Sequence, residues 1–240
     1  MSDDRDPLPA EGVFLGIETS FRPGSVAVSI IRDGRLVHHG REEVEQADRR
    51  QAAAVVSVAA GLCGVGGVRL VDVTAVGVSL GPGSFTGLRV GMTFAKTLAH
   101  QNGVPLFGFP TMRVAADRFL VSDEDGESCR VVIDAQAGHV FRQDWVKCGD
   151  GVCSLGDIER ITRDAACADR PEDRIVKIPH HDDELGAVPH AGMITTLTTF
   201  AVGRADNTDL LDPVTAEPLY VRRSGAEEKA DAATKSRPEA

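Results

Sequence analysis

Positive charge is scarce in this sequence. Lys and Arg number 26 against 36 Asp and Glu, leaving a net charge of -10 over 240 residues. That balance excludes a broad basic face for RNA or DNA, so any nucleic acid the protein serves must be held mainly by something else. Acidity of this size also serves solubility alone. Long apolar runs are missing too: nothing approaches the roughly 20 residues of a membrane span. The opening MSDDRDPLPAEG is polar and acidic and lacks the apolar stretch of a secretory signal. The five cysteines, Cys63, Cys129, Cys148, Cys153 and Cys167, are irregularly spaced, and no pair has the two-residue gap of a zinc knuckle or redox motif. They read as reduced thiols, and the chain as cytoplasmic.

What is present is enough for a core. Hydrophobic residues make up 42%, ordinary for a globular protein and sufficient for one large domain or two lobes of about 100 residues each. Residues 1–12 read as a disordered leader. VFLGIE (13–18), SVAVSII (25–31) and RLVHHGREE (35–43) read as three meandering strands, with Asp33-Gly34 as a hairpin turn. The Ala/Val-rich stretch 46–64 reads as a helix with Ala52, Val55, Val56, Ala59 and Cys63 on one stripe and Asp48 near its start. A strand (73–80), a glycine loop (81–87), a helix (86–101), a strand (104–109) and a helix opened by Pro110 and running to Phe119 follow. SDEDGES (122–128) marks a boundary, after which RVVIDA (130–135), HVFRQDWVK (139–147) and GVCSL (151–155) start a second meander. Residues 156–190 have no legible pattern, a helix is expected at 191–203, and PLYVR (218–222) is a closing segment. The tail from 224 lacks apolar periodicity and reads as disordered. The expectation is therefore two α/β lobes, 13–121 and 122–223, each with a mixed sheet and helices.

The informative segment is SLGPGSFTGLRVGMTFAKTLA (79–99). Gly81 and Gly83 permit unusual backbone angles and Pro82 stiffens the turn between them. Ser84 or Thr86 can accept from free amides at the helix start. Gly87, Gly91, Ala95 and Ala99 recur every four residues and form a smooth stripe for close helix approach. Two helical glycines cost about 1 kcal/mol each, which suggests that close packing is needed. The neighbour is either internal, such as the 46–63 helix, or a helix of another chain. The loop is not a nucleotide-binding GxxxxGK[ST], because no Lys follows Gly87, nor a serine-hydrolase elbow around Ser84.

SLGPGSFTGLRVGMTFAKTLAHQNGVPLFGFPTMRVAA (79–116), FLGIETS…GSVAVSI (14–30), IDAQAGHVF (133–141) and EPLYVRR (217–223) together resemble the TsaB (YeaZ) family. The resemblance implies an actin-like ATPase (ASKHA) fold of two lobes. It also implies a role in making N6-threonylcarbamoyladenosine at position 37 of ANN-decoding tRNAs, through a heterodimer with the catalytic paralogue TsaD, joined by the ATPase TsaE. The family contact is a bundle of helices from both first lobes. The partner-binding residues expected on this basis are Ser84, Phe85, Thr86, Gly87, Val90, Gly91, Phe94 and Ala95, with Gly81, Pro82 and Gly83 as the structural loop. A homodimer through the same face is also expected, and tRNA is reached only through the complex.

TsaD carries a metal-binding HxxxH, and Thr111 and Ala115 stand at the matching places here. Neither replaces an imidazole ligand, so no metal and no catalysis by this chain alone are expected. No cofactor is expected on its own, with ATP entering only in the assembled complex. The sequence departs from the family at Ala47-Asp48, where a His-Ser pair is frequent. An ATP-dependent kinase or carbamoyl-type transferase of the same fold is the alternative, with Glu18 as its acidic residue. The simpler reading is a strand-end carboxylate bonded to the following turn. A metallopeptidase fails on missing ligands. His180 to Glu184 reads as a solvated loop, His100 as a helix-end residue, and His38 and His39 alternate on a strand so that at least one is exposed.

Overall fold

The computed structural model describes residues 11–44, 51–135, 138–166, 169, 171–178, 189–202 and 209–219. Strand β1 (Gly12–Glu18) pairs antiparallel with β2 (Gly24–Arg32), and Asp33 and Gly34 turn the chain into β3 (Arg35–Val44). Both turn residues have positive φ, 50° and 67°, as a tight two-residue hairpin demands. Helix α1 (Gln51–Val65), strand β4 (Ala75–Gly81), helix α2 (Phe85–Asn102), strand β5 (Leu106–Pro110) and helix α3 (Thr111–Phe119) follow. β4 lies parallel to β1, and β5 parallel to β4, which requires a crossover helix between each pair of parallel neighbours. This is the order of elements that the sequence predicts through residue 120.

The second part contributes β6 (Ser128–Asp134), β7 (His139–Cys148), β8 (Gly151–Ser154), β9 (Glu159–Thr162) and β10 (Ile175–Ile178), then helix α4 (Ala191–Val202) and β11 (Leu210–Leu211). The first sheet runs β11-β5-β4-β1-β2-β3 and the second β10-β6-β7-β8, with β9 also on β7. The unread stretch 156–190 thus supplies two edge strands.

Both faces of the first sheet are covered, which is why β1 is buried from Val13 onward. One face packs Leu15, Val28 and Val76 under α1 and α2, through Val55, Ala59, Met92 and Ala95. The other packs Phe14, Ala75 and Phe109 against Ile194 and Ala201 of α4. α4 sits so close that a Cβ on Gly77 would lie 2.0 Å from Thr198 Oγ1. α3 fills the space between the sheets, with Met112, Ala115 and Ala116 joining Val131, Phe141 and Trp145 of the second.

Four expectations need correction. The second lobe does not run from 122 to 223: α4 and β11 belong to the first sheet, whose second face and edge would otherwise be bare. Gly12, assigned to the leader, begins β1, while the rest of the leader from 1 to 10 and the tail from 224 lie outside the described residues. On α1 the buried stripe is Val55, Ala59, Leu62 and Cys63, whereas Ala52 and Val56 are exposed. The cysteines are not all thiols: Cys148 and Cys153 form a disulfide across the β7–β8 hairpin, their Cα atoms 6.1 Å apart, a span within bridging distance. Cys63 and Cys129 are free and buried.

Candidate partner-binding surface

The glycine loop closes onto the turn between β1 and β2. Gly81 has φ 98°, which only glycine adopts without strain. Ser84 N–H donates to Ser20 O at 2.7 Å. Ser84 then caps α2, its hydroxyl accepting from Gly87 N–H at 3.3 Å. Gly103, in the left-handed conformation, closes the other end. The stretch after the loop is thus a rigidly held 18-residue helix.

The small-residue stripe of α2 faces inward. A Cβ on Gly87 would stand 1.9 Å from Thr19 O, and one on Gly91 2.2 Å from Thr19 Oγ1. Thr19 Oγ1 donates to Gly87 O at 2.8 Å. The neighbour that needs the glycines is therefore the end of β1 within the same lobe. Gly87, Gly91 and Ala95 are buried there, so the expectation that they present a free docking face is corrected. Gly81 and Pro82 are buried and Gly83 is exposed, although its backbone rests on Ser20.

The other predicted residues divide differently. Thr86 is exposed, and Ser84, Phe85, Val90 and Phe94 are half-buried. Arg89 lies over the Phe85 ring, 4.1 Å from its centroid. Val90 and Phe94 pack against the same core cluster as Ala54 and Val58 of α1, and the two helices touch. This places α1 and α2 side by side, their outer faces forming one surface. On one flank Lys96 Nζ donates to Ala216 O at 2.8 Å and Val214 O at 3.1 Å, pinning the segment after β11 along α2.

Helix α1 is the part of this surface that the predicted list omits. Its sequence, QAAAVVSVAAGLCGV, contains no charged residue. Yet Ala52, Ala53, Val56, Ser57, Ala60, Gly61 and Gly64 are exposed, Val56 at 42%. A helix facing water ordinarily carries charge on its outer face. The complete lack of charge over 15 residues is the signal in the sequence that could have found it. On the inner side burial pushes the Cys63 thiol up to about 11, with Asp72 adding to the shift, so it is an inert core residue.

At the end of β1 stands the one carboxylate the alternative reading needs. Glu18 is 1% exposed. Its Oε1 accepts from Ser20 N–H at 2.6 Å, from the Ser20 hydroxyl, and from the Ser79 hydroxyl at 3.0 Å. Oε2 has no partner among the described residues. Burial raises its pKa to about 7, against the lowering effect of these three bonds. This is the strand-end carboxylate bonded to the next turn. Thr111 and Ala115 are fully buried in α3, the Thr111 hydroxyl within 3.4 Å of Ser20 Oγ. No group of three or more His, Cys, Asp or Glu side chains suited to a metal occurs among the described residues. No described helix is long and apolar enough to cross a membrane. His100 lies exposed in the last turn of α2, while Asp48 and the His180–Glu184 run fall outside the described residues.

Comparison with known proteins places this geometry. Residues 44–153 match the model of the family TsaD, tRNA N6-adenosine threonylcarbamoyltransferase. The protein Rv3421c of Mycobacterium tuberculosis H37Rv, described only as uncharacterized, is 28% identical over 220 residues, covering 88% of this chain and 92% of its own. The tRNA threonylcarbamoyladenosine biosynthesis protein TsaB of Escherichia coli K12 is 26% identical over 151 residues, 62% of each chain. Among solved structures, YeaZ from Pseudomonas aeruginosa superposes with TM-score 0.66 at 20% identity, covering 88% of this chain and all of that one. That likeness shows the fold, an actin-like ATPase type of α/β architecture.

Proposed function

We propose that this chain, similar to TsaB of Escherichia coli and sharing the fold of YeaZ, is a TsaB-type protein: the non-catalytic, dimerising subunit of the assembly that makes N6-threonylcarbamoyladenosine at position 37 of ANN-decoding tRNAs. Its task is to bind and activate the catalytic subunit TsaD. The carrying observation is the charge-free, outward-facing α1 beside α2. Small side chains there allow close helix approach, and apolar area removed from water contributes about 25 cal/mol per Å². The stretch that matches the TsaD model, 44–153, spans α1 and α2. Two paralogues carrying the same helix pair can meet across a pseudo-two-fold axis, as a four-helix bundle. The same logic supports a homodimer of the free chain, which TsaD displaces. TsaE and tRNA join through the complex, in the cytoplasm, and ATP is handled there.

The alternative, an ATP-dependent kinase or transferase, is less well supported. Its carboxylate would be Glu18, which is buried, saturated at Oε1 and raised by burial to about 7, so that a large share of it is protonated near neutral pH. A neutral carboxyl is a poor ligand for a metal–nucleotide.

The test is calorimetric titration of TsaD with wild-type protein and with Val56→Glu and Ala60→Glu. Burying an unpaired carboxylate in a helix bundle costs about 2–3 kcal/mol, so binding should weaken roughly 30- to 150-fold. Cells depleted of the protein should lose the modified nucleoside by mass spectrometry, regain it with the wild-type gene, and fail to regain it with Val56→Glu. Unchanged affinity in both folded variants would remove α1 from the interface. An unchanged nucleoside level on depletion would remove the pathway assignment.

A further inference from the structure

Two hydrogen bonds tie the first turn of α2 to the sheet, and both end on the two residues that follow Glu18. Ser84 N–H donates to Ser20 O at 2.7 Å, and Thr19 Oγ1 donates to Gly87 O at 2.8 Å. Ser20 is fastened in turn by Glu18, whose Oε1 accepts its N–H at 2.6 Å and also its hydroxyl. One carboxyl oxygen thus holds the turn, and the turn holds the start of the helix. Ser79 of β4 donates to the same oxygen at 3.0 Å. Three donors on one oxygen and none on the other is the pattern of a protonated carboxyl, with Oε1 as its carbonyl and the proton on Oε2.

The carboxyl is costly to ionise where it stands. It is 1% exposed, and Oε2 is buried without a partner among the described residues. Arg22 beyond the turn, Glu43 across β3 from Ser25, Arg113 two residues after Thr111 and His190 before α4 are the titratable groups on the elements around it. None of them contributes to its shift. A carboxylate buried without a counter-charge is relieved either by a proton or by returning water. The cover against water is thin beside Ser20. Gly83 is exposed, yet a Cβ on it would stand 2.5 Å from both Ser20 Cβ and Ser20 O. Ser20 therefore lies one residue deep beneath the glycine loop.

We propose that Glu18 is a proton-controlled latch: with its proton on, it holds the Thr19–Ser20 turn and the first turn of α2 closed, and on ionising it releases both to water. Burial outweighs the three bonds and lifts the carboxyl from 4.5 to about 7. In an opened turn it returns to its ordinary value. A folded value above the open one means that closure is fully favoured at low pH and weakens as pH rises, levelling off above 7. Between pH 6 and pH 8 the opened fraction should rise about tenfold, most of it below pH 7. The latch acts on the end of α2 that carries Phe85 and Thr86. It is a property of the isolated chain and does not depend on the partner assignment.

The experiment is amide hydrogen exchange by NMR on the full chain at pH 6, 7 and 8, each rate divided by its intrinsic rate. The Ser20 and Ser84 amides should be about tenfold less protected at pH 8 than at pH 6. Met92 to Ala95 in the same helix should stay at least about a hundredfold better protected at every pH, which marks the opening as local. Glu18→Gln keeps an acceptor at Oε1 and cannot ionise, so its profile should be flat. Ser79→Ala removes a bond that lowers the carboxyl, so its profile should level off at a higher pH than wild type. The side-chain carboxyl carbon of Glu18 should titrate near 7 in the same samples. A midpoint below about 5, the ordinary carboxylate range, would overturn the latch. So would a flat profile in wild type, the wild-type slope in Glu18→Gln, or Ser84 protected as well as Met92. A pH-dependent loss at the Ala191 amide with Ser84 unchanged would place the opening under α4 and overturn it too.

Discussion

Helices α1 and α4 are written in the same alphabet: neither QAAAVVSVAAGLCGV nor AGMITTLTTFAV contains a charged residue. Their surroundings differ. α4 is spread over β1, β2 and β4, with Ala191, Ile194, Thr195 and Thr198 buried. Its hydroxyls bond back to the helix, Thr196 to Gly192 O at 3.0 Å and Thr198 to Ile194 O at 2.7 Å. α1 lies on the other face and buries only one stripe, leaving six small residues, Val56 and Val65 in water. Lack of charge on a helix thus specifies that it is to be covered, and leaves open what covers it. For α4 the cover is the sheet. For α1 the described residues provide no such cover, and the proposed function assigns it to a partner.

That contrast can be broken by placing the same group in each helix. Ile194→Asp buries an uncompensated carboxylate under α4 and should cost more than about 4 kcal/mol, leaving little folded protein by circular dichroism. Under α2, Gly91→Leu drives a side chain into Thr19. It should lose about 3 kcal/mol, roughly 6–12 °C in Tm, in the isolated chain, before any partner is added. At the end of β1, Glu18 reports how dry the sheet remains between the helices. Its folded pKa of about 7 lies above the ordinary value of 4.5. Its contribution is therefore complete below about pH 4.5 and is lost as pH rises through 7, a change on the order of 3 kcal/mol. Thermal unfolding of wild type against Glu18→Gln over that window should show the slope in the first and its loss in the second. The Cys148–Cys153 bridge closes a short loop in the other sheet. Cys153→Ser should lower stability by about 2 kcal/mol, with reductant lowering wild type equally. The smallest effect is expected at Val56→Glu, within about 0.5 kcal/mol for the free chain. A large loss there would mean that α1 is as fully covered as α4, and the contrast would fail.

Much of the fold is legible because its signals are local. Asp33-Gly34 names its own turn, Ser84 and Gly103 mark the ends of α2, and the strands around them carry apolar runs. What is not legible depends on distant pairings. The four-residue spacing of Gly87, Gly91 and Ala95 announces a close approach, yet nothing in it says that the neighbour is Thr19, 68 positions away from Gly87. The bridge between Cys148 and Cys153 depends on a hairpin placing the two side by side. His39 and His190 are unremarkable in sequence, and converge only because α4 returns to the first sheet. Of the predicted surface, Phe85, Thr86, Val90 and Phe94 lie toward the outside and the glycines do not.

The first sheet is discontinuous in the chain, since α4 and β11 reach it only after the whole second sheet has been made. On the ribosome, the face under α4, with Phe14, Ala75 and Phe109, therefore waits uncovered while some hundred residues are added. At ordinary elongation rates that is on the order of ten seconds. The nascent first lobe is thus a natural client for a chaperone, and truncation before residue 191 should yield aggregate where a free-standing lobe might have been sought.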